Sequence, residues 1–360
     1  MRKIFITLIT LLTFAFCCYP VDIKEIGKIP LHQDKVLIQR AMSFCVQSLD
    51  EEKFYLADYK AKDIKVFNKD GKFVRVWGKQ GFGPLEFGKP CLIEYREPYL
   101  AVMDLGKMKF MVYSDKDDPN FSKIKEFYSP GMGSDMKLVG DKLLMAGNKS
   151  DSNNKLYDLY IYNFQTGAAD FLIPIEEKYG YTSFKQYKNR YDRELLALSD
   201  NSFCDFFEPF AYYVWAGDLR VIRVDLKDKK KTVFGHKTSN YTKLVMTKKM
   251  REDYLSFNAN GYLEYRKFSF LNGIIADENF VGVFYCNFRE EKPGWQTFIQ
   301  FYSPDGKFLH EKELPGGVNN DNYPLKSFYY NQKTKILYFL SQTIDKDLND
   351  VYGIIKYKIQ

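Results

Sequence analysis

Histidine is the first residue type to consider for chemistry, because imidazole serves both as a general base and as a metal ligand. The sequence contains three histidines, His32, His236 and His310. A zinc centre needs several imidazole or thiolate ligands, and a catalytic triad needs a histidine beside its nucleophile. The three histidines occupy unrelated positions along the chain, so we predict no metal site and no catalytic residue.

Two aspartates, Asp58 and Asp104, each end a similar apolar segment. Carboxylate oxygens are ligands that calcium prefers, so a calcium site is one interpretation. The other, which we favour, is that each aspartate caps a turn by accepting backbone hydrogen bonds. The glycine-rich stretch 78–83 lacks the Lys-Ser/Thr ending and the following helix of a phosphate loop. The sequence therefore predicts no cofactor, with calcium as the one ion left open.

The amino terminus has the pattern of an export signal. A basic pair precedes an apolar run from Ile4 to Phe16, which is too short to span a membrane. The run ends at Cys17-Cys18 and resembles a bacterial lipoprotein signal, in which a cysteine carries the lipid. We predict a signal peptide over residues 1–18 with Cys18 lipidated; lipidation at Cys17, or secretion without an anchor, stays open. The expected location is the periplasm, the outer membrane or the cell surface.

Four cysteines follow the signal and lie far apart in apolar segments: Cys45, Cys91, Cys204 and Cys286. Export permits disulfides, but the spacing contains no Cys-x-x-Cys pair of the kind used for metal or redox work. We predict buried free thiols.

The composition favours a folded chain rich in β-strands. Aromatic residues make up 17% of it, and strands favour aromatic and β-branched side chains. With 45% hydrophobic and 28% charged residues, the chain can bury a core and is not expected to be disordered. The net charge is +7, but the lysines are dispersed and alternate with apolar residues, as on solvated strand faces. We therefore predict no nucleic-acid partner.

A repeated unit would position these residues. Its clearest copy has three short strand patterns, Lys53–Asp58, Ile64–Phe67 and Phe73–Trp77, with an Asp70-Gly71 hairpin turn. Later copies begin at Tyr99, Lys142, Tyr212, Phe280 and Ile336. Most copies follow one further apolar segment, which makes four strands per unit, the number in a propeller blade.

The last copy ends at Gln360 after three strands. The segments Ile23–Ile26 and Ile29–Leu31 read as a strand that supplies the missing one, closing the ring and covering two sheet edges. We predict an all-β fold: a six-bladed β-propeller of four-stranded antiparallel blades, forming one monomeric domain over residues 19–360. His310 would then lie on an outer strand and His32 near the closing strand.

The stretch after the first copy, from Val76 to Phe87, carries a family resemblance. Gly78, Gly81, Gly83-Pro84 and Glu86-Phe87 match a G-x-x-G-x-G-P-x-E-F pattern. This stretch resembles NHL-type repeats and, more closely, the six-bladed TolB-like propeller lipoproteins of Gram-negative bacteria. The resemblance implies the architecture and an envelope location, but little about activity. We interpret the motif as structural, with Phe87 packed between blades.

Long loops supply the candidate binding residues. In a four-stranded blade, the crossover to the next blade and the hairpin between the second and third strands open on the same face, which we name the crossover face. Two crossovers, about 176–200 and 236–267, are long and rich in Tyr and Arg, residue types that dominate binding hot spots. We predict ligand contacts on this face from Tyr187, Arg190, Tyr191, Trp215, Arg251, Tyr254, Arg266 and Trp295. The alternative is that these aromatic residues only anchor the loops.

Together these features predict a non-enzymatic binding or scaffolding module of the bacterial cell envelope. It would recognise a protein, peptide or glycan through one propeller face, with membrane attachment through the possible lipid anchor. The alternative is a hydrolase or lyase that uses a divalent cation in the central channel.

Overall fold

Six four-stranded antiparallel sheets are arranged around a common axis in the computed structural model of the chain. The structure describes residues 21–47, 52–114, 122–128, 133–178, 201–215, 217–243, 267–288, 295–314, 328–344 and 350–360. The predicted fold class, a six-bladed β-propeller, is confirmed.

The strands are numbered in chain order, and each blade runs from an innermost to an outer strand. The innermost strands are β2 (Ala41–Gln47), β8 (Pro90–Arg96), β12 (Gly133–Val139), β16 (Ser202–Phe207), β20 (Phe270–Ala276) and β24 (Phe328–Asn331). The second strands are β3 (Lys53–Asp58), β9 (Tyr99–Asp104), β13 (Lys142–Ser150), β17 (Phe210–Trp215), β21 (Val281–Phe288) and β25 (Ile336–Ile344).

The third strands are β4 (Asp63–Asn68), β10 (Lys109–Ser114), β14 (Leu156–Asn163), β18 (Asp218–Asp225), β22 (Trp295–Tyr302) and β26 (Asp350–Ile359). The outer strands are β5 (Phe73–Trp77), β11 (Ser122–Tyr128), β15 (Ala169–Pro174), β19 (Lys231–Phe234), β23 (Phe308–Glu313) and β1 (Ile23–Pro30). Blades 1 to 5 follow the chain, and blade 6 is β24, β25, β26 and β1.

Two short elements complete the description. The parallel pair β6 (Lys79–Gln80) and β7 (Glu86–Phe87) lies in the crossover from blade 1 to blade 2. The helix α1 (Ile175–Lys178) follows blade 3. Across the ranges that the structure describes, no helix has the length and apolar character needed to traverse a bilayer.

The ring closes through both ends of the described chain. Strand β1 pairs antiparallel with β26, from Ile23 opposite Ile359 to Pro30 opposite Gly353. Blade 6 is thus built from the last three strands and the first one, as the sequence predicts, and the pairing covers the outer edge of β26.

The core lies between blades, where both faces of the inner strands are covered by neighbouring sheets. Among the described residues, five buried clusters form this core, and each combines residues from two or more blades. The four predicted thiols, Cys45, Cys91, Cys204 and Cys286, are all free and buried within this core, as expected. Burial raises the pKa of Cys91 to about 12, so this thiol is protonated at neutral pH and unreactive.

The motif at the first crossover is structural, as interpreted. Gly78 has a φ of +78°, and a Cβ there would lie 2.2 Å from the Phe87 ring. Phe87 is fully buried, in contact with Trp77 at a ring-centroid distance of 5.7 Å. The Gly83 amide donates to the Glu86 carboxylate at 2.7 Å. Only a glycine admits both this backbone conformation and this close approach at position 78.

Strand β20 was not predicted from the sequence, because the predicted long crossover extends to residue 267 and the fifth copy begins only at Phe280. All seven residues from Phe270 to Ala276 are buried. The strand therefore has no polar alternation to mark it, which is the usual pattern for a strand covered on both faces.

Candidate functional site

Most residues predicted to bind ligand fall outside the part of the chain that the structure describes. These are Tyr187, Arg190, Tyr191, Arg251, Tyr254 and Arg266, together with the lipidation candidate Cys18. Trp295 begins β22, but its side chain is likewise outside the description. Their roles stay predictions.

Trp215 ends β17 on the crossover face, where the sequence analysis placed it. Its side chain is nearly buried and belongs to a cluster shared by blades 3 and 4, with Leu144 and Leu159. Much of the indole surface therefore packs between blades, and a role of Trp215 in ligand binding stays a prediction.

Asp58 and Asp104 cap the interblade crossovers, which confirms the turn interpretation. The Asp104 carboxylate accepts hydrogen bonds from the backbone amides of Gly88 and Lys89, at 2.6 Å and 2.7 Å. Asp58 does the same for the amides of Gln39 and Arg40, at 2.7 Å and 3.1 Å. Each carboxylate ties the hairpin after a second strand to the segment that enters an innermost strand.

The histidines lie away from the axis. His310 is on the outer strand β23, as predicted, and stacks on Phe301. His236 follows β19 and stacks on Phe308 with ring centroids 4.1 Å apart. Among the described residues, no group of three His, Cys, Asp or Glu side chains is placed to hold a metal ion.

The crossover from blade 4 to blade 5 is fixed by a polar network around Glu311. One carboxylate oxygen accepts from Thr238 and Tyr285, both at 2.6 Å, and the other accepts from Asn240 at 2.8 Å. Burial alone would raise the pKa of Glu311, but these hydrogen bonds and one from Gln300 outweigh burial and lower it. The ionised carboxylate therefore holds this crossover on β23.

The residues at the two ends of the same crossover, Thr242 and Ser269, are hydrogen-bonded to each other. The Thr242 amide donates to the Ser269 hydroxyl, and the Ser269 amide donates to the Thr242 carbonyl, both at 2.8 Å. The ends of the long segment that contains the predicted residues Arg251 and Tyr254 are thus joined at one fixed point on the crossover face.

A cavity of about 200 Å³ lies at the other end of the central channel. It opens on the face that carries the hairpins between first and second strands, which we name the hairpin face. Its lining comes from blades 2, 3, 4 and 6: Glu94, Tyr95, Arg96, Glu97, Lys137, Leu138, Asp205, Tyr329, Tyr330, Asn331, Gln332 and Lys333.

Strand register explains why charged side chains meet there. Every innermost strand has one residue that pairs with the third residue of the second strand. From blade 1 to blade 6 that position is occupied by Cys45, Glu94, Lys137, Asp205, Ile274 and Tyr329. Blades 2, 3 and 4 therefore place a carboxylate, an ammonium and a carboxylate at one level of the channel; we name Glu94, Lys137 and Asp205 the channel trio.

Lys137 Nζ lies between the two carboxylates but hydrogen-bonds to neither. Its distances are 3.9 Å to Glu94 Oε1 and 3.7 Å to Asp205 Oδ1, beyond hydrogen-bond range. All three side chains are only 7% exposed. Within the described ranges these two long ion pairs are the contacts of the ammonium group, which carries three N–H donors. A buried ammonium with unused donors faces the cavity.

A second trio in blade 1 provides the contrast. Lys65 Nζ lies 2.9 Å from Asp58 and 2.7 Å from Asp63, with the lysine side chain only 2% exposed. We name these three residues the blade-1 trio. Its close contacts are those of an ion pair that stabilises the fold, whereas the channel trio is held apart.

Both lysines correct the sequence analysis, which interpreted alternating lysines as solvated. Lys65 and Lys137 do alternate with apolar residues, yet both are buried. The alternation marks two faces of a strand, but a neighbouring blade covers each face in the inner part of a propeller, so the polar face is not solvated there.

Hydrogen bonds hold the cavity wall in place. Arg96 donates to the Leu138 carbonyl at 3.2 Å, joining blades 2 and 3. Tyr329 donates to the Tyr95 carbonyl at 3.0 Å, joining blades 6 and 2. Gln332 Nε2 lies within hydrogen-bond distance of two carbonyl oxygens, on blades 4 and 5. The wall is thus formed before any ligand binds.

Asp205 is also held by the fold, since its Oδ2 accepts from the Ala276 amide at 2.7 Å. Burial raises the pKa of Asp205, and the Lys137 ammonium opposes that rise. The sequence analysis missed the channel trio because its members are separated by 43 and 68 positions. The signal that would have found it is the alignment of the innermost strands.

The comparisons with known proteins agree with this architecture. A member of the DUF4221 family from Bacteroides vulgatus superposes with a TM-score of 0.64 at 12% identity, over 95% of this chain and 99% of that one. A Bacteroides fragilis protein whose description proposes export gives 0.57 at 15% identity, over 94% and 95%. Both likenesses show the fold alone.

No curated protein matches the sequence significantly. The family model DUF5128, described as a 6-bladed beta-propeller, matches residues 22–257. That match spans well over half of the chain and includes all three members of the channel trio. The chain belongs to the DUF5128 family of six-bladed β-propellers.

Proposed function

We propose that this chain is a non-enzymatic binding module of the bacterial cell envelope that recognises its ligand through one propeller face. The observation that carries the proposal is Lys137, a buried ammonium that lines a preformed cavity and makes only long ion pairs to the carboxylates beside it. Burying a charge without close hydrogen bonds costs stability. Such a group is expected where a ligand supplies the missing contacts.

The envelope location rests on the export pattern before residue 19 and on the resemblance to TolB-like propeller lipoproteins. The Bacteroides fragilis relative, whose description proposes export, is consistent with it. In this proposal Cys18 carries the lipid anchor. Mass spectrometry of the mature amino terminus tests it: a lipid-modified Cys18 supports anchoring, and an unmodified start elsewhere contradicts it.

Binding is tested by capture from solubilised envelope extract. Purified wild-type protein and the Lys137→Met variant are incubated with the extract, and retained molecules are identified by mass spectrometry. The proposal expects at least one molecule that wild type retains unchanged and the variant does not. Identical retained sets for the two proteins, or chemical conversion of the retained molecule, would contradict it.

The competing function is a divalent-cation hydrolase or lyase in the channel. Glu94 and Asp205 would be its natural ligands, but the Lys137 ammonium lies between them, where a cation would be repelled. A rise in melting temperature with Ca²⁺ or Zn²⁺ that depends on Glu94 would favour this function over the binding module.

The crossover face stays a second candidate surface for a protein, peptide or glycan partner. The Thr242–Ser269 hydrogen bonds suggest a sharp test, because joining Lys243 to Lys267 through a short Gly-Ser linker should leave the ring intact. Loss of a partner in that variant, with unchanged stability, would place recognition on this face; an unaffected set of partners would remove these loops from the proposal.

A further inference from the structure

The size of the channel cavity restricts what it holds. Its volume of about 200 Å³ is below the ~300–1,000 Å³ of sites that enclose a drug-sized ligand. The cavity therefore suits one small ring or the end of a longer molecule.

The charged residues that line the cavity disfavour a free anion or a free cation as its ligand. Among the described lining residues, three are acidic and three are basic: Glu94, Glu97 and Asp205, with Arg96, Lys137 and Lys333. A free anion beside Lys137 would also lie beside the two carboxylates of the channel trio, and a free cation would lie beside its ammonium. A neutral ligand avoids both repulsions.

The hydrogen-bonding groups select the chemistry of that neutral ligand. Lys137 can only donate, and the carboxylate oxygens of Glu94 and Asp205 offer acceptors. A hydroxyl group does both at once, because its oxygen accepts from an ammonium while its proton is donated to a carboxylate. A molecule with several hydroxyls on one small ring would use donors and acceptors that lie about 4 Å apart here.

Three tyrosines are among the residues that line the cavity: Tyr95, Tyr329 and Tyr330. Two of them are fixed by their hydroxyls, since Tyr329 donates to the Tyr95 carbonyl at 3.0 Å and Tyr330 donates to Asp277 at 2.8 Å. Aromatic residues beside a few fixed polar groups are the usual lining of a small-molecule site.

We propose that the hairpin-face cavity binds a neutral sugar residue, with the channel trio contacting its hydroxyls. The inference rests on the proposed binding function and names its ligand class. A free monosaccharide and the terminal residue of an envelope glycan present the same chemistry to the cavity.

The test is thermal unfolding with named probes: glucose, galactose, mannose and N-acetylglucosamine, with inorganic phosphate and Ca²⁺ as charged contrasts. At least one sugar should raise the melting temperature by about 1–3 °C near saturation. Calorimetric titration of that sugar should show at least tenfold weaker binding in Lys137→Met and in Glu94→Gln. Glu94→Gln keeps the shape of the side chain, so it still tests whether the channel trio contacts the sugar if Lys137→Met folds poorly.

Lys65→Met is the matched control, because it removes a buried lysine with two carboxylate partners outside the cavity. It should lower the melting temperature and leave sugar affinity unchanged. Oligosaccharides ending in the active sugar identify the source: binding of the free sugar at equal affinity indicates a monosaccharide ligand, and binding only of the oligosaccharide indicates a glycan terminus.

The outcomes separate the two proposals. If no sugar or oligosaccharide binds, or if binding persists in both cavity variants, the sugar inference is wrong. If phosphate or Ca²⁺ binds in a Lys137-dependent way instead, the sugar inference fails while the cavity stays a binding site. If, in addition, extract capture shows no molecule that depends on Lys137, the proposed function fails as well.

Discussion

The backbones of Asp22 and Gln360 form two reciprocal hydrogen bonds, with N···O distances of 3.0 Å and 2.9 Å. These residues lie 338 positions apart, and their pairing continues directly from Ile23 opposite Ile359. The first and last described strands therefore form one continuous ladder that closes the ring.

The buried residues of β1 should contribute more to the free energy of unfolding than its exposed residues. Ile23 is 3% exposed in a cluster with Phe339 and Ile355, whereas Ile26 on the same strand is 49% exposed. Ile23→Ala should lower the free energy of unfolding by about 2–4 kcal/mol, because it leaves a cavity between strands. Ile26→Ala should change it by less than ~0.5 kcal/mol. Urea denaturation measures both, and equal effects would show that β1 contributes little to closure.

Two glycines with positive φ separate backbone strain from steric clash. A Cβ at Gly78 would lie 2.2 Å from Phe87, whereas at Gly140 (φ +58°) nothing lies within 4 Å. Gly140→Ala should cost about 1 kcal/mol from backbone conformation alone. Gly78→Ala should cost ~3 kcal/mol or more, because the buried Phe87 ring must also move. A similar melting temperature for the two variants would contradict the close packing of the motif.

Asp104 should act as a cap and not as a calcium ligand. Asp104→Ala leaves the partly buried Gly88 and Lys89 amides without their acceptor, at a total cost of about 1–3 kcal/mol. The exposed Asp34→Ala is the control and should be neutral. Calcium should leave the melting temperature of wild type unchanged, and a clear calcium-dependent rise that Asp104→Ala abolishes would restore the metal interpretation.

The Glu311 network should make stability depend on acid pH. Its folded-state pKa is lowered, so its contribution is present above the unfolded glutamate pKa of about 4.3 and is lost as pH falls through the folded value. Glu311→Gln should cost roughly 1–2 kcal/mol at pH 7 and less at pH 3. Glu313→Gln, exposed on the same strand, should cost nothing measurable. If Glu311→Gln lowers the free energy of unfolding equally at both pH values, the network does not depend on an ionised Glu311.

The blades were predictable because their local signals are strong. The segments Lys53–Asp58, Phe73–Trp77 and Tyr99–Asp104 coincide with β3, β5 and β9, since a terminal aspartate marks the first and third and the Asp70-Gly71 turn precedes the second. Strand β20 was not predicted because it is buried on both faces and no alternation of polar and apolar residues marks it. Ring closure was predictable from the number of strand segments, because the last copy of the repeat has three and one further segment precedes the first copy.

The candidate site was not predictable in the same way. Glu94, Lys137 and Asp205 each look like the polar position of an ordinary strand, and only the pairing registers bring them to one level of the channel. Attention to long loops led instead to the crossover face, where most of the chosen residues lie outside the described chain. A site assembled from equivalent positions in different repeats requires the repeats to be aligned strand by strand.

The central claim is that the channel trio serves a ligand and the blade-1 trio serves the fold, and free energies of unfolding from urea titration test it most directly. Glu94→Gln, Lys137→Met and Asp205→Asn are combined in one variant; Asp58→Asn, Asp63→Asn and Lys65→Met are combined in the other. Replacing buried charges whose mutual ion pairs are long by neutral groups is often neutral or stabilising, whereas disrupting close pairs costs several kcal/mol. We expect the channel variant to stay within ~1 kcal/mol of wild type or exceed it, and the blade-1 variant to lose about 3 kcal/mol or more. A loss in the channel variant as large as that in the blade-1 variant would contradict the account.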